Sequence, residues 1–188
     1  MPSATAVPPA DRSLADDVAN WPSEVYRALK EAGIRQVCYV PDAGHRTLIE
    51  LAHGDPEIET TVLTTEEEGI ALAAGAWLGG QRAVLLIQSS GVGNCVNMLS
   101  LIATCRFPLL VLVTMRGEWA EFNPWQVPMG RATPKAFEIM GVQVQRIDDG
   151  AQAAPTVAAA AAMAFEGDQA IALLLSQRML GRKTWVEK

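Results

Sequence analysis

Three consecutive glutamates and a glycine-rich turn are the residues of this chain best suited to chemistry. Glu66, Glu67 and Glu68 open an alanine-rich segment, and the turn Ser89-Ser90-Gly91-Val92-Gly93-Asn94 follows an apolar run. A carboxylate that is partly desolvated beside an apolar sheet can exchange protons near neutral pH. Because successive helical side chains point about 100° apart, at most one of the three glutamates can face a cleft.

Both features also have ordinary structural explanations. Thr65 followed by Glu68 matches a capping box, and acidic residues in a first helical turn favour the helix dipole. The glycine turn could be a tight crossover with Asn94 as a helix N-cap. It does not match the dinucleotide fingerprint GxGxxG, because Val96 stands at the last position, and the chain contains no GxxxxGK[ST] segment. The turn could therefore approach a flat ring closely, but it could not hold a triphosphate.

Alternating strand and helix patterns must position these residues. Apolar runs predict strands at 36–40, 60–63, 83–88, 109–115, 142–147 and 170–176. Helical patterns separate them, at 21–32, after the turn 41–44, and at 66–78, 94–104, 134–140 and 151–165. Continuous apolar strands joined by helices indicate a parallel sheet that is covered on both faces. We expect a three-layer α/β/α sandwich with a mainly parallel, roughly six-stranded sheet, and ligands at the carboxyl ends of its strands.

Composition limits the kind of protein this can be. The chain has 188 residues, of which 49% are hydrophobic, and a net charge of −6. This composition predicts one soluble domain without a surface that binds nucleic acid or an anionic membrane. We expect a flexible tail over 1–19 and the domain over 20–188. No apolar run is long enough to span a membrane, and the N-terminus lacks signal-peptide features, which predicts a cytoplasmic protein.

Two further features carry expectations. Cys38, Cys95 and Cys105 form no CxxC pair and are predicted to be buried thiols in a reducing compartment. The segment 116–133 is long for a connection in an α/β domain and contains Trp119 and Trp125. We expect it to be either a lid or a partner-binding surface.

Five motifs together make the chain recognisable. They are VPDAG at 40–44, EEEGIALAAGA at 66–76, LIQSSGVGNCVNMLSL at 86–101, RG at 116–117 and QVPMGR at 126–131. This set resembles the pyrimidine-binding domain of thiamine-diphosphate-dependent decarboxylases, and within that family it looks closest to sulfopyruvate and phosphonopyruvate decarboxylases. The resemblance covers roughly residues 20–180.

The resemblance implies a role for each matched residue. Glu66, favoured over its two neighbours, would hydrogen-bond N1′ of the aminopyrimidine of thiamine diphosphate, and the activated cofactor would then attack a small anionic 2-oxo acid and release carbon dioxide. The cofactor-binding candidates are Glu66, Ser90, Gly91, Val92, Gly93 and Asn94. The substrate-binding candidates are Asp42, His45, Gln88, Ser89, Arg116, Gln126 and Arg131. The two tryptophans stand where we expect a smaller, more polar loop in these decarboxylases, which leaves the substrate open.

A missing segment implies a second subunit. Enzymes of this family hold magnesium and diphosphate with a GDG segment, but Gly54-Asp55 is followed here by Pro56, and Gly167-Asp168 by Gln169. We expect no metal ligand in this chain, and a separate beta subunit that binds diphosphate and Mg²⁺ in a hetero-oligomer with two or more copies of each chain. The alternatives are a carboligase, an arylpyruvate or phosphonopyruvate decarboxylase subunit, or a non-enzymatic regulatory domain. Glu66 together with the glycine turn speaks against the last.

Overall fold

Six parallel strands form the middle layer of the protein. In the computed structural model, which describes residues 14–181 and the side chains of residues 20–181, they follow the order β2-β1-β3-β4-β6-β5. The strands are β1 (Ile34–Tyr39), β2 (Glu59–Val62), β3 (Arg82–Gln88), β4 (Leu109–Thr114), β5 (Gln143–Ile147) and β6 (Ala170–Leu175). Every pairing is parallel, so all six carboxyl ends lie at the same edge. The predicted fold class is confirmed.

Eight α-helices surround the sheet within the described residues, together with four short 3-10 helices at 43–45, 89–91, 124–126 and 150–152. The α-helices are α1 (Leu14–Glu31), α2 (Arg46–His53), α3 (Glu66–Leu78), α4 (Val92–Cys95), α5 (Ser100–Cys105), α6 (Val127–Ile139), α7 (Ala153–Gly167) and α8 (Gln177–Leu180). Successive residues of a strand point to opposite faces of the sheet. Val84 and Leu86 pack with α1, α2 and α7, whereas Leu85 and Ile87 pack with α3 and α6. This is the burial pattern of a strand covered on both sides.

Several predicted boundaries differ from those observed. Helix α1 begins at Leu14, so residues 14–19, which we expected in the tail, are helical, while residues 1–13 and 182–188 lie outside the described part of the chain. The predicted helix 94–104 is wrong, because residues 96–99 form turns between α4 and α5. Helix α6 begins at Val127 rather than at Pro134, because Pro128 lies in its first turn, where no backbone N–H is needed.

The thiols divide into two groups. Cys38 and Cys95 are buried, and burial raises the pKa of each to about 12. Cys105 is exposed at the end of α5, so the prediction that all three are buried is wrong for this residue. All three are free thiols. Within residues 14–181, no helix combines the length and the apolar character that crossing a bilayer requires.

Candidate active site

The three glutamates at the start of α3 have different partners. The backbone N–H and hydroxyl of Thr64 donate to Glu68, at 2.9 and 2.6 Å, and the Thr65 hydroxyl donates to Glu67. The predicted capping box is therefore wrong, because Thr65 gives its hydroxyl to a side chain rather than accepting from the helix backbone. The carboxylates of Glu67 and Glu68 therefore accept hydrogen bonds from Thr65 and Thr64, the two residues just before the helix. Glu66 points elsewhere, across to the turn that follows β3.

The glycine turn lies directly against Glu66. A Cβ atom added to Gly91 would stand 2.0 Å from Oε1 of Glu66 and 2.1 Å from its Cδ, so the carboxylate lies over the bare backbone of this residue. Asn94 donates from Nδ2 to Oε2 of Glu66 at 2.7 Å. It is not a helix N-cap, since it lies inside α4. The turn and the helix start are thus brought together as predicted, with Gly93 exposed beside them.

A second polar cluster joins the ends of β1, β3 and β4. The carboxylate of Asp42 accepts from Nε2 of Gln88 at 2.8 Å, from the hydroxyl of Thr114 at 2.6 Å and from the backbone N–H of Gly44 at 3.0 Å. Ser90 in turn donates to Oε1 of Gln88 at 2.9 Å. With three donors, the Asp42 carboxylate is held in one orientation. Two of the predicted substrate residues, Asp42 and Gln88, therefore act as one unit.

A pocket of about 140 Å³ opens beside this cluster. It is lined by Asp42, Ala43, Gly44, Thr114, Met115, Arg116, Gln177, Leu180 and Gly181, which follow or end strands β1, β4 and β6. An apolar cavity of about 150 Å³ can admit benzene, so the volume suits a small organic molecule. Crevices outside the carboxyl ends of parallel strands are where open α/β sheets bind ligands.

Arg116 lines the pocket, but its charge is already paired. Its Nε and Nη2 atoms donate to the two carboxylate oxygens of Glu121 at 2.8 and 2.7 Å, and the two side chains are 8% and 3% exposed. Burial by itself would raise the pKa of Glu121, but hydrogen bonds from Arg116, Gln177 and two backbone N–H groups lower it to about 2. The structure therefore argues against Arg116 as a free anchor for a sulfonate or phosphonate. The backbone N–H of Arg116 donates to the hydroxyl of Ser89 at 3.0 Å, which gives Ser89 a structural contact.

Further bonds fix the segment 116–126, which we call the tryptophan loop. Gln177, at the start of α8, accepts from the backbone N–H groups of Glu118 and Trp119 at 3.0 and 2.9 Å, and donates to Glu121 at 2.9 Å. Arg146 on β5 pairs with the Glu118 carboxylate at 2.5 Å. A loop tied to strand β5 and to the start of α8 in this way is a fixed surface rather than a mobile lid, which favours the second of our two expectations.

The tryptophans of this loop point outward. The exposed fraction is 66% for Trp125 and 38% for Trp119, and the guanidinium of Arg178 lies 5.8 Å from the Trp119 ring centroid. Neither lines the pocket. An apolar pocket made by these two rings, which would have favoured an arylpyruvate substrate, is not formed by the described residues.

His45 lies beneath the site rather than in it. Its ring is fully buried, and Nε2 donates to the backbone carbonyls of Ile87 and Leu112 at 3.2 and 3.1 Å. Burial lowers the pKa of His45, against the smaller opposing effect of Asp42 and the two carbonyls, so the ring is neutral. We therefore interpret His45 as a bridge between β3 and β4, because a fully buried ring cannot reach a substrate in the crevice.

Two other predicted substrate residues lie apart from the pocket. Gln126 is 6% exposed, and its Oε1 has no hydrogen-bond partner within residues 20–181. Its backbone carbonyl packs against Gly117, where an added Cβ would stand 2.4 Å away. Arg131 is exposed on α6 and does not line the pocket. The structure brings neither of them to Asp42.

Three residues of the site were not predicted from the sequence. Thr114 and Gln177 are the polar residues that end or follow the apolar strands β4 and β6, as Gln88 ends β3, and this shared position was a usable signal. Glu121 had no such signal. It lies in an irregular loop, and its importance depends on the buried guanidinium of Arg116 that it neutralises.

Comparison with known proteins gives concordant results. Residues 23–126 match the family described as thiamine pyrophosphate enzyme, N-terminal TPP binding domain. The chain is 37% identical over 152 residues to the sulfopyruvate decarboxylase subunit alpha of Methanothermobacter thermautotrophicus, covering 80% of this chain and 92% of that protein. It is 34% identical over 129 residues to the phosphonopyruvate decarboxylase of Streptomyces viridochromogenes, covering 68% of this chain and 32% of that one.

A solved structure supports the fold. The 2-oxoglutarate:ferredoxin oxidoreductase from Magnetococcus marinus superposes with a TM-score of 0.67 over 85% of this chain and 29% of its own, at 12% identity. At that identity, the likeness concerns the arrangement of helices and strands.

Proposed function

The chain belongs to the family of N-terminal TPP binding domains of thiamine pyrophosphate enzymes, and from that premise we propose that it is the alpha subunit of a thiamine-diphosphate-dependent 2-oxo-acid decarboxylase. The observation that carries the proposal is the position of Glu66. Its two neighbours are bonded to Thr64 and Thr65, while its own carboxylate lies over Gly91 at the edge where the parallel strands end.

The residues at this edge fit an aminopyrimidine ring. Gly91 has no side chain to separate a ligand from the Glu66 carboxylate, and Gly93, two residues later, is exposed. Glu66 would hold the ring through a hydrogen bond, with the backbone of Ser90, Gly91, Val92 and Gly93 beside it. When bound, thiamine diphosphate supplies the carbon nucleophile and accepts the electrons released as carbon dioxide leaves.

This chain contributes proton exchange and positioning. Glu66 would hold or release a proton at its carboxylate, opposite the ring nitrogen of the aminopyrimidine. The pocket beside Asp42 would receive the 2-oxo acid, with the orientation of that carboxylate fixed by Gln88 and Thr114. Such a preorganised polar wall costs little reorganisation when charge develops in the substrate.

The remaining parts of the proposal concern partner and substrate. A separate beta subunit would bind diphosphate and Mg²⁺, in a hetero-oligomer with two or more copies of each chain. Sulfopyruvate is the first substrate to test, because it is the compound in the names of relatives that are 36–38% identical to this chain, and phosphonopyruvate is the second. An arylpyruvate is disfavoured, since neither Trp119 nor Trp125 lines the pocket.

The test is carbon dioxide release by the assembled complex. We expect this chain, its beta subunit, thiamine diphosphate and Mg²⁺ together to decarboxylate a small anionic 2-oxo acid. Glu66→Gln should lower kcat by about 10²- to 10⁴-fold, the usual contribution of a positioned proton-transfer group. Glu67→Gln is the matched control, because it makes the same change one residue away on a side chain bonded to Thr65.

Each part of the proposal can fail separately. Full activity of Glu66→Gln would remove this residue from the mechanism. Decarboxylation by the chain without a beta subunit would contradict the split site. Comparing sulfopyruvate, phosphonopyruvate and phenylpyruvate on the same complex then identifies the substrate class.

A further inference from the structure

The carboxylate of Glu66 is held by a residue far away in the sequence. Nδ2 of Asn94 donates to Oε2 of Glu66 at 2.7 Å, joining the start of α3 to α4 across 28 positions of sequence. Asn94 is the donor, because an ionised carboxylate only accepts hydrogen bonds and an amide nitrogen only donates them. The side-chain nitrogen of Asn94 is therefore already hydrogen-bonded to Glu66.

The two oxygens of Glu66 have different surroundings. Oε2 receives the bond from Asn94, whereas Oε1 lies over Gly91, where even a methyl group would stand 2.0 Å away. A donor on one oxygen and bare backbone beneath the other leave the carboxylate a single well-defined orientation. Oε1 has no hydrogen-bond donor among the described residues, so it is the oxygen we assign to the ligand.

The chemical type of Asn94 suits this purpose. An amide donates a hydrogen bond but neither gains nor loses a proton between pH 4 and pH 10, unlike histidine or a carboxylic acid. It also adds no charge beside the glutamate, unlike lysine or arginine. Asn94 can thus fix the carboxylate without competing for the proton that Glu66 would exchange.

We infer that Asn94 is a positioning residue, which holds Glu66 in the orientation needed for proton exchange and does so through Oε2 rather than by contacting the cofactor. The inference rests on the proposed function for the purpose of this orientation. The contact itself does not, so it can be tested without cofactor, substrate or partner.

The first test is a double-mutant cycle on the stability of the full-length chain. Urea unfolding would be compared for the wild type, Glu66→Gln, Asn94→Asp and the double variant. Asn94→Asp sets two carboxylates against each other, whereas the double variant exchanges donor and acceptor and restores the bond. If the two sites were independent, the effects of the single changes on the equilibrium constant for unfolding would multiply. We expect the constant of the double variant to be at least about fivefold smaller than that product, which means a more stable protein.

Asn97 provides the matched control for this cycle. It is three residues from Asn94, is exposed, and has no side-chain hydrogen bond within residues 20–181. In the variant that combines Asn97→Asp with Glu66→Gln, the two changes should act independently, so their effects on the equilibrium constant for unfolding should multiply. If the Asn94 pair also shows effects that multiply to within twofold, the inference is overturned.

The second test is kinetic and uses the assembled complex with thiamine diphosphate and Mg²⁺. Asn94→Asp and Asn94→Leu keep the shape of the side chain but remove the donor. We expect kcat to fall by about 10- to 100-fold, the cost of a small misplacement of a catalytic group, with the half-saturating concentration of thiamine diphosphate changed less than about threefold. Unchanged kcat with weakened cofactor saturation would instead show Asn94 to be a direct cofactor contact, against the inference.

The two proposals fail in different ways. If the wild-type complex releases no carbon dioxide from any 2-oxo acid, the proposed function is wrong, and the stability cycle still decides whether Asn94 holds Glu66. If the complex is active and depends on Glu66, but Asn94→Leu retains wild-type kcat, the proposed function stands and the positioning role of Asn94 is wrong.

Discussion

Replacing Gly91 with alanine should separate catalysis from folding in this protein. The backbone at this residue has φ −82° and ψ −13°, which any amino acid adopts readily, so the substitution introduces no torsional strain. The obstacle is space. The new Cβ would stand 2.0 Å from Oε1, 2.1 Å from Cδ and 2.4 Å from Cγ of Glu66.

The size of the effect follows from these distances. Ordinary contact begins near 3.4 Å, so the carboxylate must withdraw by about 1.4 Å, which the flexible glutamate can do. A misplacement of about 1 Å costs on the order of 10²-fold in rate, or about 2.7 kcal/mol of activation free energy. The stability change should be small. Loss of the Asn94 hydrogen bond costs about 0.5–1.5 kcal/mol, and replacing glycine gains about 0.4–1 kcal/mol.

The assay pairs kcat of the assembled complex with urea unfolding of the chain. We expect kcat to fall about 100-fold while the free energy of unfolding changes by less than about 1 kcal/mol. Gly54→Ala at the end of α2 is the control, since its φ is −76° and the nearest atoms lie 3.5 Å from an added Cβ. A Gly91→Ala enzyme with kcat within threefold of the wild type would refute the idea that the turn confines Glu66.

Two further predictions concern the rest of the molecule. Glu121→Gln should lower the free energy of unfolding at pH 7 by about 3–5 kcal/mol, because it leaves the buried guanidinium of Arg116 without its counter-charge. The pKa of Glu121 is lowered to about 2 in the folded protein, so its stabilisation is present above the unfolded pKa of about 4.3 and is lost as the pH falls towards 2. Urea unfolding measured at several pH values should show this loss in the wild type. An equally steep loss of stability in Glu121→Gln would contradict the prediction. Brief treatment with iodoacetamide at pH 8 should modify the folded chain once, at Cys105, because burial raises the pKa of Cys38 and Cys95 to about 12. Mass spectrometry counts the adducts, all three thiols should react in urea, and rapid labelling of Cys38 in the folded chain would show that its surroundings open.

The sheet was accessible from the sequence because its signals are local. Runs such as Leu109–Thr114 are apolar throughout, and a strand buried on both faces has that pattern whatever its neighbours are. The broken helix after the glycine turn was not accessible. The alternating pattern of the chain predicts a continuous helix over 94–104, but residues 96–99 form turns there, with Leu99 fully buried.

The site was predictable in part for a similar reason. The glutamates 66–68 and Gly91 carry a signal in residue type and in their place at strand ends, whereas the choice of Glu66 among the three depends on the family resemblance. The roles of Arg116 and His45 depend on partners that no sequence pattern marks. Arg116 pairs with Glu121, five residues away in an irregular loop, and His45 bonds to the carbonyls of Ile87 and Leu112, 42 and 67 positions away. In the sequence, Arg116 resembles a free cation that could bind an anionic substrate, and nothing marks Glu121 as its counter-ion. Such an ion pair is recognised only from the three-dimensional structure.

The strand order has a consequence for how the chain folds. Thr114 and Asp42 are 72 residues apart, and β4 must pair with β6, more than fifty residues later, before the sheet is complete. Closing such long loops costs entropy before any contact repays it, and chains rich in distant parallel pairings fold slowly. We therefore expect the edge that holds the polar cluster to assemble late. Until then, the apolar strands β4 and β6 lack part of their cover, and this interval is when a nascent chain is most exposed to aggregation.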